Sequence, residues 1–304
     1  MPDIVRPDGA RIHYEVSGAG QPVLLLAPGG ADSAIAAWET NFYHPVTELS
    51  PHFRVIAMDQ RHSGRSAAPF LPATYEQTAA DQTAVLDETG ADRVHVVAAG
   101  LGCLHALRLA AEAPERIASV VLQEPPGRGD GNSLADFFGL FDEAMRLPRA
   151  ASFDDPETEG LAAVAAAARA DGDFGRNPAA GPFARRLHDD PESHKELFAL
   201  RRERYITTLV RHRDHLFPAG SAYFSVPEES IAAFPAPLLV LPGGGGRQPA
   251  AVARRIAAEA PSARLLDAGF DAPGRRRETV AAVVAFLREH SESTTVRVPE
   301  NAEN

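Results

Sequence analysis

The chain has 304 residues, with 30 Lys+Arg against 41 Asp+Glu and a formal charge of −11. Hydrophobic residues make up 44% and charged residues 23%, the proportions of a folded globular protein and not of a disordered or fibrous one. The single cysteine, Cys103, excludes an internal disulfide framework and a multi-cysteine metal site.

The N-terminal stretch 1–10 has no apolar core of a secretory signal, and no apolar run approaches the ~18 residues of a membrane span. Net acidity argues against nucleic acid as a partner. A cytoplasmic protein without membrane or nucleic-acid partners is the expectation.

Residues 11–17 alternate between apolar and polar and predict a half-buried strand. Residues 22–27, 53–58, 93–98, 117–122 and 237–241 are short, apolar and rich in branched side chains. Such runs suit parallel strands buried on both faces. Residues 263–267 make a weaker strand. Helices are predicted between these runs, over 74–90, 102–113, 249–260 and 277–290. The first opens at Thr74, an N-cap with Gln77 three residues later, and closes at Gly90. The second stops before Pro114. Alternation of strand and helix implies a parallel sheet with helices on both faces.

Residues 125–236 break that rhythm. They carry helix signals at 133–147, 156–171, 191–216 and 228–233, separated by proline and glycine. The stretch is too long for a loop and predicts a helical cap over the C-terminal edge of the sheet. The expected division is a core of 1–124 and 237–290, a cap of 125–236 and a disordered tail from 291 to 304.

Several segments together resemble an α/β-hydrolase over nearly all of residues 10–290. Residues 23–30 resemble the strand and oxyanion loop of that family. Residues 53–66 resemble its D-x-R-x-x-G-x-S turn, and residues 93–125 its strand, nucleophile elbow, helix and following strand. Residues 237–249 resemble the strand and loop that usually carry the catalytic acid, and 265–273 the loop of the histidine. The resemblance implies a mostly parallel, eight-stranded sheet with an inserted helical cap.

The family's chemistry needs a Ser or Cys on a strained strand-to-helix turn, a His to take its proton and an Asp or Glu to orient the His. At the matching positions this chain has Gly100 in place of the nucleophile, Gly243 to Gly246 in the acid loop and Phe270 in place of the histidine, with Asp271 beside it. In the acid loop Gly246 is taken as the vacant position. Triad hydrolysis is therefore not expected. The backbone oxyanion site is expected to persist, using N–H groups of Leu101 and of Gly30 or Ala31.

Other side chains remain as candidates for chemistry. Cys103, three residues past the elbow, is either a displaced nucleophile or a small buried helix residue. His105 is either an acid–base group or a hydrogen-bonded structural histidine. Glu124 ends the strand before the cap, where some hydrolases keep their acid. It needs a histidine, with His105 or His95 as candidates, or is simply bonded to backbone amides. Asp59 and Arg61 read as structural ion-pairing groups, and His62 as either pocket rim or exposed surface. Asp32, Trp38, Tyr223 and Phe224 are candidate ligand contacts, as is Phe270. Residues 201–213 are basic and suit either an anionic partner or a solvated face with local ion pairs.

Three functions compete. One is a non-hydrolytic enzyme that cyclises, isomerises or eliminates on a small apolar metabolite in bacterial specialised metabolism. Another is a residual hydrolase using Cys103, His105 or Glu124. The third is a ligand-binding pseudoenzyme. The first is preferred, with no cofactor and no metal, and with a homodimer as the expected oligomer.

Overall fold

The structure is a computed structural model that describes residues 2–29, 32–149, 159–266 and 274–291. Eight strands form one sheet: β1 (Asp3–Val5), β2 (Arg11–Ser17), β3 (Pro22–Leu26), β4 (Arg54–Met58), β5 (Val94–Ala99), β6 (Ile117–Gln123), β7 (Leu238–Leu241) and β8 (Ala263–Leu265). Their spatial order is β1-β2-β4-β3-β5-β6-β7-β8. β2 runs antiparallel to both of its neighbours, and every other pairing is parallel. The short outer strand β1 has no counterpart among the predicted elements, because three residues with only Ile4 half-buried give no periodicity to read.

The near-continuous apolar runs of the central strands are explained by burial on both faces. Leu24, Leu26, Ile56, Met58, Val96 and Ala98 enter one core cluster. Their chain neighbours Val23, Leu25, Val55, Ala57, Val97 and Ala99 enter the other. The helices Tyr75–Glu88, Leu101–Glu112 and Ala250–Glu259 cover the first face through Val85, Leu107 and Ile256. The helices Pro45–Leu49 and Arg276–Glu289 cover the second through Leu49, Val283 and Leu287.

Thr74 caps its helix as predicted, in a full capping box with Gln77, and Gly90 follows the helix end at φ +61°.

Between β6 and β7 the described residues hold helices and no strand. The segment builds an apolar cluster of its own around Val164, Ala168, Phe183, Leu187, Tyr205 and Leu209. Two predicted helices are broken. The 133–147 helix becomes Leu134–Phe138, a tight turn Gly139–Phe141 and Asp142–Arg149. The 191–216 helix becomes Ser193–Ala199 and Arg202–Leu216, divided at Arg201 with φ +63°. A left-handed arginine is set by tertiary packing and has no sequence signature.

Candidate active site

At the C-terminal end of β5 the chain turns sharply into the helix Leu101–Glu112 through Gly100, at φ +48° and ψ −128°. Side chains rarely adopt that backbone, which costs about 1–3 kcal/mol for a residue other than glycine. Space is not the obstacle: a Cβ on Gly100 would lie 3.4 Å from its nearest neighbour, Pro28 Cβ. Gly102 differs, since a Cβ there would lie 2.1 Å from the Leu26 carbonyl oxygen. The helix therefore presses onto the end of β3, and its first N–H groups, which have no intrahelical partner, open beside the turn. Beside Leu101 a cavity of about 10 Å³ lies among Gly29, Phe137, Leu140, Phe217 and Gln248, room for a single water at most.

A second cavity, of about 530 Å³, lies on the other side of Leu140. One wall is the loop after β3 with the helical turn Ile35–Thr40; the other is Asp173–Pro178 of the helical segment. Ala34, Ala37, Leu140 and Phe174 make much of the lining apolar, and Asp32 and Asp173 bring carboxyls into it. A Cβ built on Gly175 would lie 2.8 Å from Asp32 Oδ2 and 3.3 Å from Asp173 Oδ1, so both carboxyls flank one point.

Burial pushes the Asp32 carboxyl up to about 6. The negative charges of Asp173 and Asp59 add to that push, and backbone N–H groups of Asp32 and Gly175 oppose it. Asp173 is buried and bonded to Arg176, whose Nη1 donates to Oδ2 at 2.9 Å and whose backbone N–H donates to Oδ1 at 3.2 Å. Asp32 is thus a carboxyl that exchanges a proton near neutral pH, which suits acid–base work.

The sequence profile of the alpha/beta hydrolase fold family matches residues 22–157. A hydrolase of Paraburkholderia phymatum, named for 2-hydroxy-6-oxononadienedioate and 2-hydroxy-6-oxononatrienedioate, is 31% identical over 153 residues, 50% of this chain and 51% of that protein. The dihydrolipoyllysine-residue acetyltransferase component of the acetoin cleaving system of Cupriavidus necator is 33% identical over 124 residues, 40% of this chain and 32% of that protein. The chain thus matches 51% and 32% of the length of these curated relatives. The crystal structure of the enol-lactonase from Burkholderia xenovorans aligns over 94% of this chain and 100% of that one, with TM-score 0.59 and 23% identity. The chain has the α/β-hydrolase fold.

In an α/β-hydrolase the turn at Gly100 is the nucleophile elbow and the loop after β7 carries the acid. Here the elbow backbone is kept while its residue is glycine. After β7, a Cβ on Gly243 would lie 2.7 Å from the Gln248 carbonyl oxygen and 3.1 Å from Glu124 Cβ, whereas Gly244 and Gly246 face open space. Gly30, Ala31, Phe270 and Asp271 lie outside the described residues.

Of the candidate catalytic groups, Cys103 is fully buried in the core and its Sγ donates to the Gln123 carbonyl at 3.2 Å. Burial pushes its thiol well up, the opposite of an activated nucleophile. His105 points away from both cavities, with Nδ1 3.1 Å from Thr78 Oγ1, and burial holds it down to about 3. His95 stands near the start of β5, bonded to Ser119 and Ser291, at the opposite end of the sheet from Glu124. Neither histidine is the partner that Glu124 was expected to need. Glu124 itself has φ +51° and donates its N–H to the Leu241 carbonyl at 2.8 Å.

Trp38 and Tyr223 line neither cavity. Trp38 is fully buried against the second sheet face, and Tyr223 is in the first core cluster with its hydroxyl 3.4 Å from Glu259. Phe224 packs edge-on to Phe137 at 4.6 Å. His62 is neither rim nor surface. It is buried, 5.4 Å from the ring of His212, with Nε2 3.1 Å from the Leu71 carbonyl. Asp59 accepts from the N–H groups of Ile35 and Arg65, and Arg61 is bidentate to Asp81. The basic stretch buries Tyr205, Leu209 and His212, while Arg202 and Arg213 pair with adjacent carboxylates.

Sequence reasoning named Asp32 and missed Asp173, Gly175, Arg176 and Leu140. These lie in short turns of the helical segment, where no periodicity marks a lining residue. The run Gly172-Asp173-Phe174-Gly175 was the available signal, since glycines around an acidic residue mark a close backbone approach.

Proposed function

We propose that this chain is an enzyme that acts non-hydrolytically, by isomerisation, cyclisation or elimination, on a small, largely apolar metabolite of bacterial specialised metabolism. The observation that carries the reading is Asp32, a carboxyl raised to about 6 in a largely apolar pocket, with the carboxyl of Asp173 on the other side of Gly175. As a carboxylate, Asp32 removes a proton from carbon next to a carbonyl. As a carboxylic acid it returns that proton to another carbon or to a leaving group, so no water is consumed. The triad positions are read as Gly100, Gly246 and Phe270, which leaves acylation without a nucleophile, an acid or a base. Closure of the chamber beside Leu101 supports the same reading.

The test uses an enolisable ketone, 2-methylcyclohexanone, in deuterated water, with p-nitrophenyl acetate and butyrate as hydrolysis probes. Proton exchange above the buffer rate is expected, falling roughly 100-fold or more in Asp32→Asn, the usual scale for an acid–base group. Ester turnover is expected at background, and to stay there in Gly100→Ser. Ester turnover that Glu124→Gln or Cys103→Ala abolishes and Asp32→Asn spares would overturn the proposal in favour of a residual hydrolase. Tight ketone binding without exchange would replace it with a ligand-binding role.

A further inference from the structure

The two cavities that meet the loop after β3 are separated at one place. Among the described residues, Gly29 and Leu140 alone line both the pocket of Asp32 and the chamber beside Leu101. Gly29 offers only backbone, so Leu140 supplies the shared side chain. It sits on the turn Gly139–Phe141 and is partly exposed. The aromatic residues on either side of it are fully packed. Phe137 stacks with Phe217 and Phe224 at 5.3 and 4.6 Å, and Phe141 meets Phe174 and His212 at 5.9 and 5.8 Å. Leu140 is only half-buried where Phe137 and Phe141 are 1% exposed, so a change of rotamer is easier at Leu140 than at either neighbour.

We propose that Leu140 is the partition that determines what this site accepts. With the side chain in place, a ligand occupies the 530 Å³ pocket and meets the carboxyl of Asp32. With the side chain withdrawn or shortened, the two spaces join. A longer ligand then extends past Leu140 into the chamber beside Leu101, Phe137 and Phe217. One residue thereby selects between a short ligand held at the carboxyl and a longer one that also fills the aromatic chamber. This does not depend on what Asp32 does to its ligand.

The experiment reports on access to the chamber and needs no substrate. Leu101→Cys places a thiol in the chamber wall, and the native Cys103 is silent because it is fully buried and bonded to Gln123. Labelling by N-ethylmaleimide is followed by mass spectrometry on the full chain. Slow labelling is expected in Leu101→Cys, and labelling at least tenfold faster when Leu140→Ala is added. Leu140→Phe should leave the slow rate unchanged. Ala37→Trp, which fills the Asp32 pocket, should return the Leu140→Ala variant to the slow rate. Equal rates with and without Leu140→Ala would overturn the proposal. So would fast labelling that Ala37→Trp does not slow. Should Leu101→Cys lower the urea midpoint, Gly100→Cys serves as a second reporter read in the same way.

Discussion

The elbow at Gly100 and the pocket at Asp32 sit on either side of Leu140 and are built from opposite materials. The elbow keeps a demanding backbone geometry, φ +48° and ψ −128°, and has no side chain and almost no space beside it. The Asp32 pocket has ample space and two carboxyls, on loops that are tight in another way: a Cβ on Gly29 would lie 1.8 Å from the Asp32 carbonyl oxygen. The loop after β3 thus borders both a turn defined by its backbone and a pocket furnished by side chains. The difference is open to attack from both sides.

The largest effect is expected from Phe137→Ala. Phe137 is 1% exposed and packs against Phe217 and Phe224. Its truncation should cost about 3–5 kcal/mol in urea unfolding. A much smaller loss would mean that the chamber is closed by loose packing and not by a fixed aromatic wall.

Next come the two glycines of the turn. Gly102→Ala places a Cβ 2.1 Å from a backbone oxygen and should cost about 3 kcal/mol. Gly100→Ala meets no clash, only a strained φ, and should cost roughly 1–2 kcal/mol. Reversal of that order in paired unfolding curves would show that the elbow is not held as drawn.

Asp32 gives a pH signature of the opposite sign. Its folded pKa is raised from 3.8 to about 6, so the folded chain binds the proton first. Its contribution to stability therefore grows as pH falls from 7 through 6 toward 4, and levels off below 3.8. Asp32→Asn should remove that slope and stabilise the chain at pH 8 by something on the order of 1–3 kcal/mol. The difference between the two pH–stability curves is the measurement, and parallel curves would return Asp32 to an ordinary surface carboxylate.

The smallest effect belongs to Arg176→Ala. Its side chain is 60% exposed and pairs with Asp171 and Asp173, so the stability change should stay below about 1 kcal/mol. The carboxyls should respond more than the stability does. With a positive charge gone from beside the pocket, proton uptake by Asp32, followed by carboxyl NMR, should move to higher pH. No movement would remove Arg176 from the account of the site.

Much of the fold was legible in the sequence, because its signals are local. Alternating strands and helices, apolar strands buried on two faces, and the Thr74–Gln77 cap are all written within a few residues of where they act. The glycine at the elbow was legible for the same reason. The sequence offered Trp38 and Tyr223 as ligand contacts and the structure packs both in core clusters, since an aromatic side chain looks the same in a pocket wall and in a core. It also offered His105 and Cys103 for chemistry, because reactive residue types were visible and their burial was not.

Sequence alone determined the sheet, the sharp turn and the residue standing at it. Tertiary structure alone decided that Asp32 and Asp173 flank Gly175, that Phe137 and Phe217 meet beside Leu101, and that Leu140 lines two cavities. The reason is distance along the chain. A periodic pattern reports which face of an element is buried, but a pocket is a meeting of loops from remote segments. Its chemistry exists only after their packing has excluded water and set one charge beside another.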